Sequence, residues 1–232
     1  MSLKSEGVIV QFIRVGVDMG CGGRQSRIFD DGHYHFIAIP KHNDPEFCRF
    51  TYGDVASNTK HAPRIKGRSL AKLRRGDFLA FYAGFENDQK KWCVGIFAYL
   101  VVKDAYLIDR SKGVGLSFAK KSRDYKPFTN FERDGNTKKW QQILNKYKKF
   151  SQHVSKTPRK EMELLICGNR KSSRLLSKVK ILADCSSNAY IPSSNIVRCF
   201  GLKDKTDLKR SSVRTVSGEP AQQAIKQLKN LP

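Results

Sequence analysis

Four acidic or phenolic side chains lie where they could act on a bound substrate. Asp18 precedes a glycine-rich segment, and Asp44, Tyr52 and Asp54 come close together further along the chain. Carboxylates and phenols can act as general acids and bases, and carboxylate oxygens also suit a divalent cation. We therefore interpret these four residues as candidate catalytic groups. The alternative is an ordinary polar turn, because Asp before Pro and Asp after Gly are common turn pairs.

The segment after Asp18 could hold a phosphate. Gly20, Gly22 and Gly23 leave backbone amides open to a ligand, and Arg24 adds a guanidinium. The spacing matches neither the dinucleotide fingerprint nor the Walker pattern, and a tight connection between strands is the alternative. No zinc-finger spacing is present either. The sequence therefore assigns no metal ligands and leaves any cofactor undetermined.

Positive charge dominates the composition. The chain has 44 Lys and Arg against 21 Asp and Glu, which is a formal net charge of +23. An excess of this size favours a polyanionic partner, and the alternative is a solvated surface that tolerates self-repulsion. Contacts of such side chains to phosphates give binding that weakens steeply with salt. The cations that we expect to contact nucleic acid are Arg24, Arg64, Lys66, Arg68, Lys72, Arg74, Arg75, Arg170, Arg174, Arg210 and Arg214.

Two apolar runs must supply the framework that positions these side chains. GDFLAFYAG covers Gly76 to Gly84, and WCVGIFAYLVV covers Trp92 to Val102. Their β-branched and aromatic residues predict two adjacent inner strands of a small β-barrel. Because side chains alternate along a strand, Phe81 and Tyr82 should face opposite ways. We expect Tyr82 to face a cleft, where it could stack on a nucleic-acid base; plain core packing is the alternative.

Further elements follow from the spacing of apolar residues. Trp140, Ile143, Leu144 and Tyr147 recur at the period of an amphipathic helix over 137–150. The other predicted elements are strands at 8–17 and 161–168, an extended piece at 190–200, a hairpin at Asp31-Gly32, a long functional loop at 41–68, a short helix or irregular turn at 173–182, and a terminal helix at 220–231. These elements predict one α+β domain over 1–232, with a barrel core at about 8–102 and 161–200 and helical additions at about 137–150 and 218–231.

The two apolar runs resemble the central strands of the PUA, EVE and ASCH group of barrels. In that group a strand of the form Gly-Asp-x-hydrophobic-x-Phe-Tyr precedes a second strand that begins with Gly-Ile. The resemblance implies a small mixed PUA-like β-barrel with packed helices and long functional loops.

A wider resemblance covers most of 8–216. The segments DMGCGGRQSRIFDDGHYHFIAIP, HNDPEFCRFTYGD, LRRGDFLAFYAGF, LLICGNRKSSRLL and GLKDKTDLKRSSVRTV are similar, in the same order, to the third of the nucleotide-modification-associated domain families. These families are named for their genomic association with base-modifying systems. The resemblance implies a nucleic-acid-modification setting and no particular reaction.

Cysteine usage and hydropathy bear on the compartment. The six cysteines form no Cys-x-x-Cys pair, and three of them lie in apolar runs, so we expect free thiols in a reducing cytosol. The longest apolar run, at 92–102, is shorter than the roughly 18–20 residues of a membrane span. The sequence therefore predicts a cytoplasmic protein without a membrane partner, and it leaves the oligomeric state undetermined.

These observations favour a nucleic-acid-associated protein that binds, or helps to process, a modified or flipped base, with DNA favoured over RNA as the partner. The alternative is an enzyme that acts on nucleotides or modified bases, with the 42–54 loop as its catalytic centre. The chain lacks the hydrolase elbow, the zinc-protease helix and the deaminase signature. No standard catalytic motif therefore decides between the two hypotheses.

Overall fold

A mixed β-sheet with helices packed on it makes this an α+β protein. The computed structural model describes residues 7–15, 34–36, 45–47, 49–57, 64–89, 92–131, 135–147, 162–182, 193–203 and 213–232. Within these ranges the strands are β1 (Val10–Arg14), β2 (Tyr34–Phe36), β3 (Thr51–Ser57), β4 (Phe78–Asn87), β5 (Trp92–Asp109), β6 (Val114–Ser117), β7 (Met162–Gly168), β8 (Arg174–Ile181) and β9 (Arg214–Val216). The helices are α1 (Ile65–Leu70), α2 (Pro127–Asn130), α3 (Thr137–Tyr147), α4 (Ser194–Arg198) and α5 (Glu219–Lys229).

The hydrogen-bonded order of the described strands is β3-β7-β5-β4-β1-β9. In addition, β2 pairs with β4, and both β6 and β8 pair with β5. The pair of β1 and β4 is parallel, whereas the other described pairs are antiparallel. This order ends at β3 on one side and β9 on the other. The described strands therefore form an open sheet, and the closed barrel expected from the sequence is not confirmed.

The length of β5 explains the difference between this sheet and a small barrel. The strand has 18 residues and continues past Val102, where the sequence predicted its end. Its first half pairs with β4 and β8, and its second half pairs with β7 and β6. Because each half has its own neighbours, β3 and β9 end up at opposite ends of the strand order.

The prediction that the two long apolar runs form adjacent strands is confirmed. β4 and β5 pair from Phe78 and Val101 to Glu86 and Trp92, with a bulge after Phe81. Alternate residues of these strands enter two apolar clusters on opposite faces of the sheet. One cluster includes Leu70 of α1, and the other includes residues of α4 and α5. Both faces of the central strands are therefore covered.

Several other sequence predictions are confirmed. Within the described residues, β1, β7, α3 and α5 lie where strands or helices were predicted, and Pro220 stands in the first turn of α5. The hairpin at Asp31-Gly32 lies outside the described residues.

Three predicted elements are wrong where the structure describes them. The predicted loop at 41–68 contains β3 and most of α1, and the extended piece at 190–200 contains α4. The predicted helix or turn at 173–182 is the strand β8. A register shift in β8 places Leu176 and Val179, three residues apart, in buried positions, and that spacing imitates a helix. The β-branched Ile196 and Val197 favoured an extended chain, yet they lie in the five-residue α4.

Candidate functional site

A buried carboxylate fixes the turn that leads into β4. Asp77 accepts hydrogen bonds from the backbone amides of Ile9, at 3.0 Å, and of Arg74, at 2.6 Å. Both of its oxygens also accept from Arg123, at 2.6 and 2.7 Å. The Arg123 guanidinium further donates to the carbonyl oxygens of Gly7 and Lys72. Four donors thus satisfy one carboxylate, and this group ties the start of β1 to the segments before β4 and before α2.

Arg74 is a structural residue, which corrects its predicted role in binding nucleic acid. Its guanidinium donates to four backbone carbonyl oxygens at 2.7 to 3.0 Å, those of Ala71, Leu73, Ser122 and Tyr125. The side chain is buried. A guanidinium held in this way has no surface to offer a phosphate.

Exposed cations from three separate segments meet around this turn. The Arg75 amide donates to the carbonyl oxygen of Ala119 at 2.7 Å, and the Arg75 guanidinium donates to that of Lys103 at 2.9 Å. Lys120 and Lys121 follow Ala119 directly and are exposed, as are Arg75 and Lys103. Arg75 also pairs with the Asp104 carboxylate at 3.1 Å. The fold therefore gathers cations that are far apart in sequence.

The helix α1 extends this cationic region. Arg64, Arg68 and Lys72 are all exposed. Arg68 lies within the helix, whereas Arg64 is its N-cap residue, with an extended backbone, and Lys72 follows its C-cap residue, Ala71. The side chain of Ile65 is 74% exposed beside them. Lys72 joins the helix to the turn, because its carbonyl oxygen accepts from Arg123 at 3.0 Å. We call the whole set the basic surface, formed by Arg64, Arg68, Lys72, Arg75, Lys103, Lys120 and Lys121.

A glycine sets the position of α1 on the sheet. A Cβ atom on Gly67 would lie 2.5 Å from the carbonyl oxygen and 2.8 Å from the Cα of Ala56 in β3. Only glycine permits this approach of two backbones. The side-chain amide group of Gln11 in β1 also holds α1, because it donates to the carbonyl oxygen of Ser69 at 2.6 Å. The buried Gln11 Oε1 then has no donor among the described residues.

Two of the four predicted catalytic residues do lie together, and a lysine joins them. The Tyr52 hydroxyl donates to Asp54 Oδ2 at 2.9 Å. The same oxygen lies 2.5 Å from Lys66 Nζ, and this ammonium is also 5.4 Å from the centre of the Tyr52 ring. Tyr52 is buried, whereas the side chains of Asp54 and Lys66 are 19% and 33% exposed. Lys66, predicted to bind nucleic acid, thus neutralises Asp54. Asp18 and Asp44 lie outside the described residues.

Tyr82 does not face a cleft, which corrects its predicted role as a stacking platform. The side chain is fully buried in the cluster beneath α4 and α5, while Phe81 enters the cluster on the α1 face. Burial raises the pKa of Tyr82 to about 12, and the nearby Arg14 and Arg214 guanidiniums lower it in part. The sequence correctly predicted that the two rings face opposite ways, but both faces of the sheet are covered.

The remaining predicted cations differ in location. Arg170 is exposed in the turn between β7 and β8, next to Asn169, whose amide donates to the carbonyl oxygen of Val101 at 2.8 Å. This contact brings Arg170 to the edge of the basic surface near Lys103. Arg174 is exposed at the start of β8, and Arg214 is exposed in β9, at the other end of the strand order from β3. Arg24 and Arg210 lie outside the described residues.

Sequence reasoning missed three members of the basic surface. Lys103 stands in one segment and the adjacent Lys120 and Lys121 in another, with no motif around either. They meet Arg75 only through the pairing of the chain near Val102 and through the amide contact to Ala119. No local signal in the sequence could have identified them.

The cysteines that the structure describes form no disulfide, and one of them, Cys167, is a poor nucleophile. Cys93, Cys167 and Cys199 are free thiols, while Cys21, Cys48 and Cys185 lie outside the described residues. Burial raises the pKa of Cys167 to about 12, although a hydrogen bond from Tyr147 lowers it in part. A thiol in this state stays protonated at neutral pH and is a poor nucleophile.

The described residues contain neither a candidate metal-binding group nor a candidate membrane-spanning helix. No group of three His, Cys, Asp or Glu side chains among the described residues is arranged to hold a metal ion. None of the described helices is both long enough and apolar enough to span a membrane.

Comparison with known proteins adds no further constraint. No protein-family model, curated protein or solved structure matches the chain.

Proposed function

We propose that the protein binds nucleic acid through the basic surface, as a binding component in a nucleotide-modification setting. The single observation that carries this proposal is the convergence of α1, the Arg75 turn, Lys103 and Lys120–Lys121. Cations spread evenly over the surface would keep the protein in solution but would not form a binding site for a particular partner. Cations collected on one surface create a field that attracts a polyanion.

The arrangement suits phosphate contacts. Arg64 and Lys72 stand just beyond the two ends of the six-residue α1 and Arg68 lies within it, and α1 itself is about 9 Å long at the α-helical rise. Such a row can face successive phosphates of one strand. Arg75 is held in place by the Lys103 carbonyl oxygen and the Asp104 carboxylate, so less side-chain entropy is lost when it binds. Contacts of this kind supply affinity and register and do not identify a base.

The resemblance to the PUA, EVE and ASCH group belongs to this proposal as well. Support comes from the pairing of β4 with β5, the two strands on which the resemblance rests. The open order of the described strands does not support it. The nucleic-acid proposal therefore depends on the basic surface and not on the barrel.

A salt series on three forms of the protein tests the proposal. We expect the wild type to bind single-stranded oligonucleotides with an affinity that falls steeply as salt rises. The triple variant R64Q/R68Q/K72Q should bind more weakly, and its plot of log K against log salt should be shallower by about 2 units. Fluorescence anisotropy measures both quantities.

The control changes three exposed lysines elsewhere. Lys178 and Lys180 lie in β8, whose Ser177 contacts the chain end beyond α5, and Lys226 lies on α5 itself. K178Q/K180Q/K226Q loses the same charge, and we expect it to keep the wild-type slope. Equal losses in the two triple variants would show that only the total charge matters. Absence of binding by the wild type at about 50 mM salt would overturn the proposal.

A further inference from the structure

The carboxylate of Asp54 presents two different oxygen atoms. Oδ2 accepts from the Tyr52 hydroxyl and pairs with the Lys66 ammonium. Oδ1 accepts no hydrogen bond from the described residues, and the side chain is 19% exposed. One oxygen therefore fixes the orientation of the carboxylate. The other is a preorganised acceptor that a ligand can reach.

The neighbours of Asp54 explain how a carboxylate with one open oxygen can lie beside an anionic partner. Lys66 offsets its charge at 2.5 Å, so Asp54 does not repel phosphates that approach α1. The Tyr52 ring packs against Phe81 with centroids 5.3 Å apart, which anchors the hydroxyl that holds Oδ2. The phenol and the ammonium thus fix the acceptor from two sides.

The acceptor lies across α1 from the row of cations. Within α1, Lys66 is two residues from Arg68, so it leaves the helix on the opposite flank. Ile65 lies between the two flanks and is the most exposed large apolar side chain of the described residues. A ligand that spans α1 would meet cations on one flank, an apolar side chain at the crest, and an acceptor on the other flank.

We propose that Asp54 Oδ1 accepts a hydrogen bond from the exocyclic amino group of a cytosine or adenine, in a single strand or in a base extruded from a duplex, whose phosphates lie on the basic surface. This inference rests on the proposed function. A nucleotide offers the three matching parts, namely phosphate, a flat apolar ring face and an amino donor. Carboxylates read the amino group of cytosine in this way in protein complexes with DNA. Thymine and uracil carry a carbonyl oxygen at the same position, and that oxygen would face Oδ1 without a proton.

The substitution Asp54→Asn converts this acceptor into a donor. The amide oxygen must take the place of Oδ2 to accept from Tyr52 and Lys66. The amide NH₂ group then stands where Oδ1 stood. We therefore expect D54N to reverse the base preference and D54A to abolish it. The reversal distinguishes a reading contact from a merely structural one.

The experiment compares oligo(dC) with oligo(dU) of equal length, because these bases differ on one edge only, where cytosine carries the amino donor at C4 and uracil carries a carbonyl oxygen at C4 and a proton on N3. Anisotropy at neutral pH and low salt should give a dissociation constant for oligo(dC) about tenfold below that for oligo(dU) with the wild type. D54A should bind the two equally, and D54N should favour oligo(dU). The control E219Q removes one carboxylate from α5, on the other face of the sheet, and should keep the wild-type ratio.

The outcomes separate this inference from the proposed function. Equal, salt-dependent binding of both oligonucleotides by the wild type would overturn the role of Asp54 and leave nucleic-acid binding in place. A D54N protein with the wild-type ratio would overturn that role too. If neither oligonucleotide binds, both proposals fail. Thermal unfolding of each variant verifies that the loss of preference occurs in folded protein.

Discussion

Asp77 is the residue on which the geometry of the basic surface depends. It is buried, and it accepts two backbone amides and a two-point contact from Arg123. The sequence around it, Arg74-Arg75-Gly76-Asp77, places a structural arginine and an exposed one side by side. Charge alone does not distinguish them. The two arginines differ in their surroundings, because the backbone carbonyl oxygens around Arg74 hold its guanidinium in the interior.

Replacing this carboxylate should cost stability. In D77N an amide NH₂ group replaces one of the two carboxylate oxygens, so the donors that bonded to that oxygen lose their acceptor. Arg123 also loses its charged partner. We expect the free energy of unfolding to fall by about 3 kcal/mol, the range for breaking a buried ion pair. Urea unfolding measures this change.

The control for D77N is D104N, which breaks an ion pair at the surface. Asp104 pairs with Arg75, whose side chain is 46% exposed, so the loss should stay below about 1 kcal/mol. Similar losses in both variants would mean that the Asp77 cluster is no stronger than a surface ion pair.

At the scale of elements, α1 is the part of the structure through which the proposed binding depends on the fold. The helix is fixed by the contact of Gly67 with Ala56 and by the hydrogen bond from Gln11 to Ser69. Its outer side carries the cations, and its flank carries Lys66. Any shift of this six-residue helix therefore moves the cations of the proposed phosphate contacts and the lysine that pairs with Asp54.

Substitution of Gly67 by alanine tests this dependence. Alanine favours a helix over glycine by up to about 1 kcal/mol. The added Cβ meets backbone atoms that cannot turn away, at 2.5 and 2.8 Å, and overpacking of this kind costs about 1–3 kcal/mol. We expect a net loss of about 1–2 kcal/mol in urea unfolding, together with weaker oligonucleotide binding.

Ser69→Ala on the same helix is the matched control. It keeps the carbonyl oxygen that holds Gln11 and adds no atom towards β3. Wild-type stability and affinity are therefore expected. A G67A protein as stable and as tightly binding as the wild type would show that α1 tolerates displacement.

The sequence predicted those elements whose own residues determine them. β4, β5 and β7 are apolar runs, and α3 shows a clear helical period. α1 was missed because it is short and carries cations on one side and a glycine on the other. β8 was predicted as a short helix or turn because a register shift changed the spacing of its buried residues. That shift depends on the partner strand β5.

The candidate site divides in the same way. Tyr52 and Asp54 were predicted from their types and local spacing, and a hydrogen bond joins them. The pairing of Lys66 with Asp54 and the meeting of Arg75 with Lys103 and Ala119 depend on contacts between distant segments. Such contacts follow from the strand order, and a single sequence did not reveal that order.

At the scale of the whole molecule, the net charge of +23 acts on stability as well as on binding. Like charges repel most strongly in the compact state, and salt screens this repulsion over about 10 Å at 0.1 M. A polyanion also neutralises the charge, but it binds the unfolded chain too, and such binding cancels part of its stabilising effect. A net gain in stability from a polyanion therefore requires a native arrangement of cations that binds better than the unfolded chain does.

Two variants of equal net charge distinguish the effect of where the cations lie on the folded protein from the effect of the total charge. R64Q/R68Q/K72Q and K178Q/K180Q/K226Q each lower the formal net charge from 23 by 3 to +20. At low salt we expect an oligonucleotide to raise the Tm of the wild type and of the second variant by several degrees, since 1 kcal/mol corresponds to about 2–4 °C in a protein of this size. The first variant should show a smaller rise in Tm. Its unfolded chain is as basic as that of the second variant, but its folded surface at α1 has lost three cations. Differential scanning fluorimetry with and without oligonucleotide measures these shifts. Salt alone should raise the Tm of both variants equally, and equal oligonucleotide shifts in the two would mean that composition, and not the folded surface, attracts the polyanion.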